Sequence, residues 1–220
     1  MRYSLVVFDW DGTLMNSVPR IVKAMQWAAR DIGIDVFSDR QVRDIIGLGL
    51  PEAIAMLAPT LNAHQADQLR QRYVVRFGEI AANEAADRFF DGIDTMLAAL
   101  SEQGVRLAIA TGKGMPGLKR ALAAHPAQQP LFSALKSADI TRSKPDPLML
   151  QQLLDETGVA PAEAVMVGDS MYDMQMAVRA GTAAIGVSWG VHGSGQLLEN
   201  GVQRVAGTPE ELSAWLTASA

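Results

Sequence analysis

Short apolar runs alternate with amphipathic stretches over most of this chain, and one long block breaks the alternation. Leu5 to Phe8 is an uninterrupted apolar run that reads as a strand buried on both faces. Ser17-Val18-Pro19 then looks like a helix start, with Ile21, Met25, Ala28 and Ile32 at helical spacing and Gly33 closing the helix. Ser38-Asp39 caps a shorter helix through Val42, Ile45 and Ile46. Gly47 to Pro51 reads as a flexible joint, and Glu52 to Leu57 as another helix. His64 to Ala86 reads as one long helix with Leu69, Tyr73, Val74, Phe77 and Ile80 on its apolar stripe. The whole block from 16 to 86 is therefore helical, with nothing in it to pair with the first strand.

Beyond Phe89 the alternation of helix and strand begins. Helices are expected over Ile93–Gln103, Met115–Ala124, Asp146–Thr157, Met171–Ala180 and Pro209–Leu216, and strands over Val105–Ala110, Ala134–Ala138, Ala164–Val167 and Ala183–Val187. Gly104, Gly158 and Gly181 stand where three of those helices stop. Such alternation implies right-handed crossovers and a parallel sheet with helices on both faces. The expected fold is α/β, a Rossmann-like doubly wound parallel sheet core from residues 1–15 and 87–220, with a helical domain inserted over 16–86.

Composition narrows the classes of function. The net charge is −5 over 220 residues, which disfavours a nucleic-acid backbone or an anionic membrane as partner. There are no cysteines, so disulfides, thiolate catalysis and zinc–cysteine sites are excluded. Residues 1–8 are too short for a signal peptide, and no run approaches the ~18–20 apolar residues that span a bilayer. The expectation is a cytoplasmic protein, monomeric or homodimeric.

The candidate chemistry stands just past the C-terminal ends of the expected strands, the edge where doubly wound sheets bind ligands. Asp9 and Asp11 follow the first strand, two residues apart and so projecting to one side, with Trp10 pointing to the other and into the core. Gly12 allows a turn whose backbone Thr13 could satisfy. Two carboxylates this close resist joint ionisation unless a cation or shared proton relieves them. Thr111-Gly112 follows the second strand, Ser143-Lys144-Pro145 precedes a helix, and Gly168-Asp169-Ser170 with Asp173 follows the fourth. Acids, a hydroxyl and a lysine at one sheet edge suit phosphoryl transfer. Carboxylates take a hard cation such as Mg²⁺, lysine neutralises phosphate, and one aspartate can attack phosphorus while another handles a proton.

These four segments, Asp9-Trp10-Asp11-Gly12-Thr13, Thr111, Lys144-Pro145 and Gly168 to Asp173, resemble the four motifs of the haloacid dehalogenase-like superfamily. Within it the chain is similar to the phosphoglycolate phosphatase and β-phosphoglucomutase branch, a likeness that Val187-Ser188-Trp189-Gly190 extends. The resemblance implies a cap of the first type at 16–86 and a Mg²⁺-dependent phosphatase acting through an aspartyl-phosphate on a small phosphorylated metabolite, phosphoglycolate-like or a sugar phosphate. It implies Asp9 as nucleophile and metal ligand. Asp11 would be the general acid and base, with its backbone carbonyl on the metal. Thr111, Gly112 and Lys144 would bind phosphate, Asp169 would ligate the metal, and Asp173 would support the metal site. Dehalogenases proper lack the second acid, because halide leaves without a proton, so Asp11 argues for phosphate.

Two positions depart from the family pattern. Relatives often have asparagine where Gly112 stands and aspartate where Asn16 stands. Glycine loses an amide contact but lets an oxygen approach its N–H closely. The expected specificity loop is Ile46 to Pro51, and Arg20, Arg43 and Gly47 are the candidate specificity residues. The two arginines read either as solvated helix-face charges or as a clamp for a substrate carboxylate. His64, His125 and His192 lack ligand spacing and are expected at the surface; Trp27, Met56 and Tyr73 are expected in the core of the helical block. Three rivals stand beside the phosphatase: a phosphomutase with the same residues, a receiver-type signalling domain, and a phosphate-binding protein without turnover.

Overall fold

The computed structural model describes residues 3–217. Six strands, β1 Leu5–Phe8, β2 Arg106–Thr111, β3 Phe132–Ser137, β4 Ala164–Gly168, β5 Ala183–Val187 and β6 Arg204–Ala206, form one parallel sheet in the order β3-β2-β1-β4-β5-β6. The order reverses at β1, so the ends of β1, β2 and β4 frame the crevice where such sheets bind ligands.

Ten α-helices accompany the strands among the described residues: α1 Val18–Asp31, α2 Asp39–Arg43, α3 Leu50–Leu57, α4 Ala63–Asn83, α5 Ile93–Glu102, α6 Met115–Ala123, α7 Leu148–Thr157, α8 Met171–Ala180, α9 Ser194–Glu199 and α10 Pro209–Thr217. Alternation along β1 sends Val6 and Phe8 to one face and Leu5 and Val7 to the other. The first face is covered by α5, α6 and α10 and the second by α7, α8 and α9. A strand this buried has no polar face, which is why its sequence reads as a solid apolar run.

Helices α1 to α4 bury a cluster of their own around Met25, Ala28, Val42, Ile54 and Leu69, which Tyr172 of α8 joins from below. Asp31 at the end of α1 is gripped by Arg72 and Arg76 of α4, at 2.8 and 2.6 Å. The chain enters and leaves this block side by side. Asn16 N–H donates to Arg88 O at 2.9 Å, Phe90 N–H donates to Leu14 O at 3.1 Å, and Met15 bridges Phe89 in antiparallel fashion.

Several boundaries differ from those expected. α3 begins at Leu50, two residues before Glu52, because Pro51 fits its first turn; α2 stops at Arg43, short of Ile45. α4 ends at Asn83, and α7 starts at Leu148 because Pro145 and Pro147 precede it. No element was expected between 188 and 208, where α9 and β6 stand; each is too short to show a period. Met56 is exposed rather than part of the block's core, and His192 is buried rather than at the surface.

Candidate active site

The four segments singled out by sequence meet at one point. Asp9 follows β1, Asp169 follows the neighbouring β4 and Asp173 stands in the first turn of α8, so the pairing of those two strands brings three acids together. One oxygen from each lies within 4.8 Å of the others, and all three side chains are buried. Lys144, fully buried, places Nζ 2.7 Å from Asp9 Oδ1 and 2.6 Å from Asp173 Oδ1. Three acids and one lysine leave an excess of negative charge in a low dielectric, an arrangement stable only with protons or a cation.

Asp9, Asp169 and Lys144 show that tension. Burial pushes Asp9 well above the ordinary carboxylate range; Lys144 pulls it back, and the charges of Asp173 and Asp169 push it further. Burial also raises Asp169, with Asp173 adding to it, to about 7. For Lys144, burial would strip the proton, but Asp173 and Asp9 outweigh it and its pKa lies above the usual value.

The donor set fits a hard divalent cation. Asp169 is held by Thr13 Oγ1–H on Oδ1 at 2.7 Å and Val191 N–H on Oδ2 at 2.8 Å. Asp173 Oδ2 accepts from Ser170 N–H and Oγ–H, leaving Oδ1 to Lys144. Asp9 Oδ2 is buried with no partner among the described residues. Orphaned carboxylate oxygen beside two oriented carboxylates is what an oxygen-coordinated ion requires. Glycines make the crowding possible. A Cβ at Gly12 or Gly190 would stand 2.2 or 2.1 Å from Asp169 Oδ2, and one at Gly168 2.3 Å from the carboxyl carbon of Asp173.

Asp11 stands beside the cluster and lines the same cavity as Asp9. Its carboxylate is not in the acid cluster: Lys113 Nζ lies 3.0 and 3.2 Å from its two oxygens, and Ser17 Oγ–H donates to Oδ1 at 2.6 Å. The chain turns at Gly12 (φ +90°), and β1 ends before Asp9, so strand alternation no longer governs where Asp9 and Asp11 point. The like charges facing Asp9 are those of Asp169 and Asp173. Thr13, expected to satisfy its own turn, serves Asp169 instead. Trp10 packs in the core against Phe89, as expected.

Above Asp9 opens a cavity of about 680 Å³. Its floor includes Asp9, Asp11, Thr111, Gly112 and Lys113, and its roof is the loop from Ile45 to Pro51 with faces of α1 and α4. Along α4, residues 70, 73, 74, 77, 78 and 81 face it, the spacing of one helical stripe. Arg20 and Gly47 are among its lining and Arg43 is not. Arg20 pairs with Asp87 at 3.3 Å, so it is neither a solvated helix-face charge nor a free clamp. The loop is seated firmly. Gly49 N–H donates to Ser143 Oγ at 2.7 Å, Tyr172 OH donates to Asp44 O at 2.9 Å, and Gly112 has the carbonyls of Gly47 and Leu48 where a side chain would begin.

Sequence reasoning missed Lys113, Ser17, Thr13 and His192. Lys113 lies two residues past Thr111 and accompanies it in the same loop, where its N–H donates to Thr111 Oγ1 at 3.1 Å. Burial lowers the pKa of His192, whose Nδ1 accepts from Met171 N–H at 2.9 Å, while its backbone N–H donates to Asp169 O at 3.2 Å. No local signal marks it.

Residues 6–187 match the family model of the haloacid dehalogenase-like hydrolases. The chain is 36% identical over 195 residues to "Probable phosphatase IndB" of Dickeya dadantii, covering 88% of this chain and 84% of that one. It is 30% identical over 191 residues to a phosphoglycolate phosphatase of Vibrio vulnificus, covering 84% of each. A crystal structure of a hydrolase from Pseudomonas syringae superposes with a TM-score of 0.87 at 24% identity, over 98% of this chain and all of the other. Among the described residues no helix is long and apolar enough to cross a membrane.

Proposed function

The chain belongs to the haloacid dehalogenase-like hydrolases and is a phosphoric monoester hydrolase; on that premise we propose that it removes phosphate from a small phosphorylated metabolite through an aspartyl-phosphate on Asp9, with Mg²⁺ at Asp9, Asp169 and Asp173. The observation that carries this reading is Asp9 itself. It lines the cavity, lies in the acid cluster, and keeps one carboxylate oxygen without a partner among the described residues. Lys144 restrains the other oxygen, which leaves the free one to attack.

In the first step Asp9 Oδ2 bonds to phosphorus and the P–O bond to the leaving group breaks. Asp11 gives that departing oxygen its proton. In the second step Asp11, now ionised and held by Lys113 and Ser17, takes a proton from water, whose oxygen attacks phosphorus and frees Asp9. Thr111, Gly112 and Lys144 are the proposed phosphate contacts. Mg²⁺, when bound, neutralises charge on the transferring group and lets two anions approach each other. The proposed division of labour assigns residues 1–15 and 87–220 to this chemistry and the cap at 16–86 to the leaving group and to keeping water out.

The Dickeya dadantii and Vibrio vulnificus relatives are named phosphatases, and a phosphomutase is not favoured. The test is phosphate release from a panel of phosphorylated metabolites with Mg²⁺, with chelator, and with Asp9→Asn. Release that requires metal and vanishes in the variant is expected. Release that persists in Asp9→Asn would exclude the covalent route.

A further inference from the structure

The cavity's walls carry information about the leaving group that the catalytic residues do not. Its apolar side is broad: Ile21 and Met25 of α1 and Tyr73, Val74 and Phe77 of α4 all face it. Hydroxyls set against these side chains, rather than toward the acids of the floor, would lose their water with only the Tyr73 hydroxyl to replace it.

Positive charge inside is already spent on the protein's own acids. Arg20 is held by Asp87 and the carbonyl of Ala85, Arg70 by Asp67, and Lys113 by Asp11. Arg120 is solvent-exposed. Against these four cations the lining carries five acids, Asp9, Asp11, Glu52, Asp87 and Asp139. Arg20 keeps one buried nitrogen, Nε, without a hydrogen bond, but its charge is already paired with Asp87, so a second anion on the substrate, such as the carboxylate of glycolate, finds no unpaired buried cation among the described residues of the lining.

Gly78 adds an independent observation. It sits inside α4, where glycine weakens a helix, and a Cβ there would meet nothing within 4 Å. Close packing therefore does not explain it. It lines the cavity at an exposed position, and its missing side chain leaves that stretch of the wall open.

Resting on the phosphatase reading above, we infer that the preferred substrate is a phosphomonoester whose leaving group bears a planar aromatic or heteroaromatic ring, seated between the α1 and α4 walls. Aromatic and aliphatic side chains take the faces of such a ring. The cavity volume is in the range that encloses a ligand of that size. A nucleoside 5′-monophosphate and a simple aryl phosphate share this chemistry.

The experiment compares kcat/KM with Mg²⁺ for adenosine 5′-monophosphate, phenyl phosphate, glucose 6-phosphate and 2-phosphoglycolate, in the wild-type chain and in Gly78→Leu. One or both ring-bearing esters should exceed the other two by tenfold or more. Their order tells a nucleoside from a plain aryl group. Gly78→Leu should raise KM for the preferred ring ester at least tenfold with no loss of melting temperature, because leucine favours helix and fills the space. Higher kcat/KM for 2-phosphoglycolate or glucose 6-phosphate overturns the inference and leaves the phosphatase standing, as does a Gly78→Leu variant with unchanged KM for the ring ester. If none of the four is hydrolysed, the phosphatase reading fails. The ring seat is then judged by calorimetry, where 2-phosphoglycolate binding as tightly as adenosine 5′-monophosphate overturns it.

Discussion

Gly112→Ala puts the seating of the roof loop to a direct test. The new Cβ would stand 2.3 Å from Leu48 O and 2.6 Å from Gly47 O, both backbone atoms that no rotamer change can move. Carbon–oxygen approaches below 3.0 Å are essentially never tolerated, so the loop must retreat by about 0.7 Å. That retreat strains the hydrogen bond from Gly49 N–H to Ser143 Oγ and opens the cavity to water. Overpacking of this kind costs about 1–3 kcal/mol, and misplacing a reacting group by ~1 Å costs up to about 100-fold in rate. The expected result is a 10- to 100-fold fall in kcat/KM, with a fold that still melts cooperatively within several degrees of the parent. Ser143→Ala, which removes that hydrogen bond and the one from Ser143 Oγ–H to Lys144 O without any overpacking, should act in the same direction and more weakly. Wild-type kinetics in Gly112→Ala would refute the reasoning, since they would mean the loop does not rest on Gly112 during turnover.

Lys144→Ala leaves three buried acids without their cation; it should abolish turnover and destabilise the chain by about 3–5 kcal/mol, partly restored by Mg²⁺ in thermal melts, and an unchanged melting temperature would contradict the ion-pair geometry. Lys113→Met removes the ammonium that holds the Asp11 carboxylate at 3.0 Å, so kcat should fall by about 10- to 100-fold; an unchanged kcat would remove Lys113 from the proton transfer. Asp31 is held at about 2 by Arg76 and Arg72, below its value of 3.8 in an unfolded chain. Its contribution is therefore complete above about pH 4 and is lost as pH falls through 2. Because the residue is exposed, screening reduces that contribution to about 1 kcal/mol. Asp31→Asn should cost that much in urea unfolding at pH 7, and equal stability of the two proteins there would show that the pair contributes nothing.

The strands and the acid cluster were legible because their signals are local. A buried parallel strand must be apolar throughout, and the residue that follows it lies at the sheet edge whatever else the chain does. What α4 does was not legible. Tyr73 and Phe77 occupy helical spacing whether they face a core or a cavity, and here they touch both. The partner of Asp11 is Lys113, 102 residues away, and no spacing encodes that pair. Met56, apolar and at the end of α3, lies outside the helix's packed stripe, and His192 is buried by a loop whose course depends on Asp169. The collision that dictates glycine at 112 involves backbone atoms of another segment, so sequence offers the glycine without its reason.

The side-by-side crossing at Met15 and Phe89 bears on how the chain finds its fold. β1 and β2 are neighbours in the sheet yet pair Leu5 with Arg106, about a hundred residues apart, and bringing such distant ends together carries an entropic cost that grows with the loop. Once α1 to α4 have packed on themselves and brought residues 16 and 88 within one hydrogen bond, the effective loop shrinks to a few tens of residues. By the logarithmic dependence of closure entropy on length, that saves about 1 kcal/mol in forming the central strand pair. The helical block would then act as a clasp during folding, well before any substrate reaches the space beneath it.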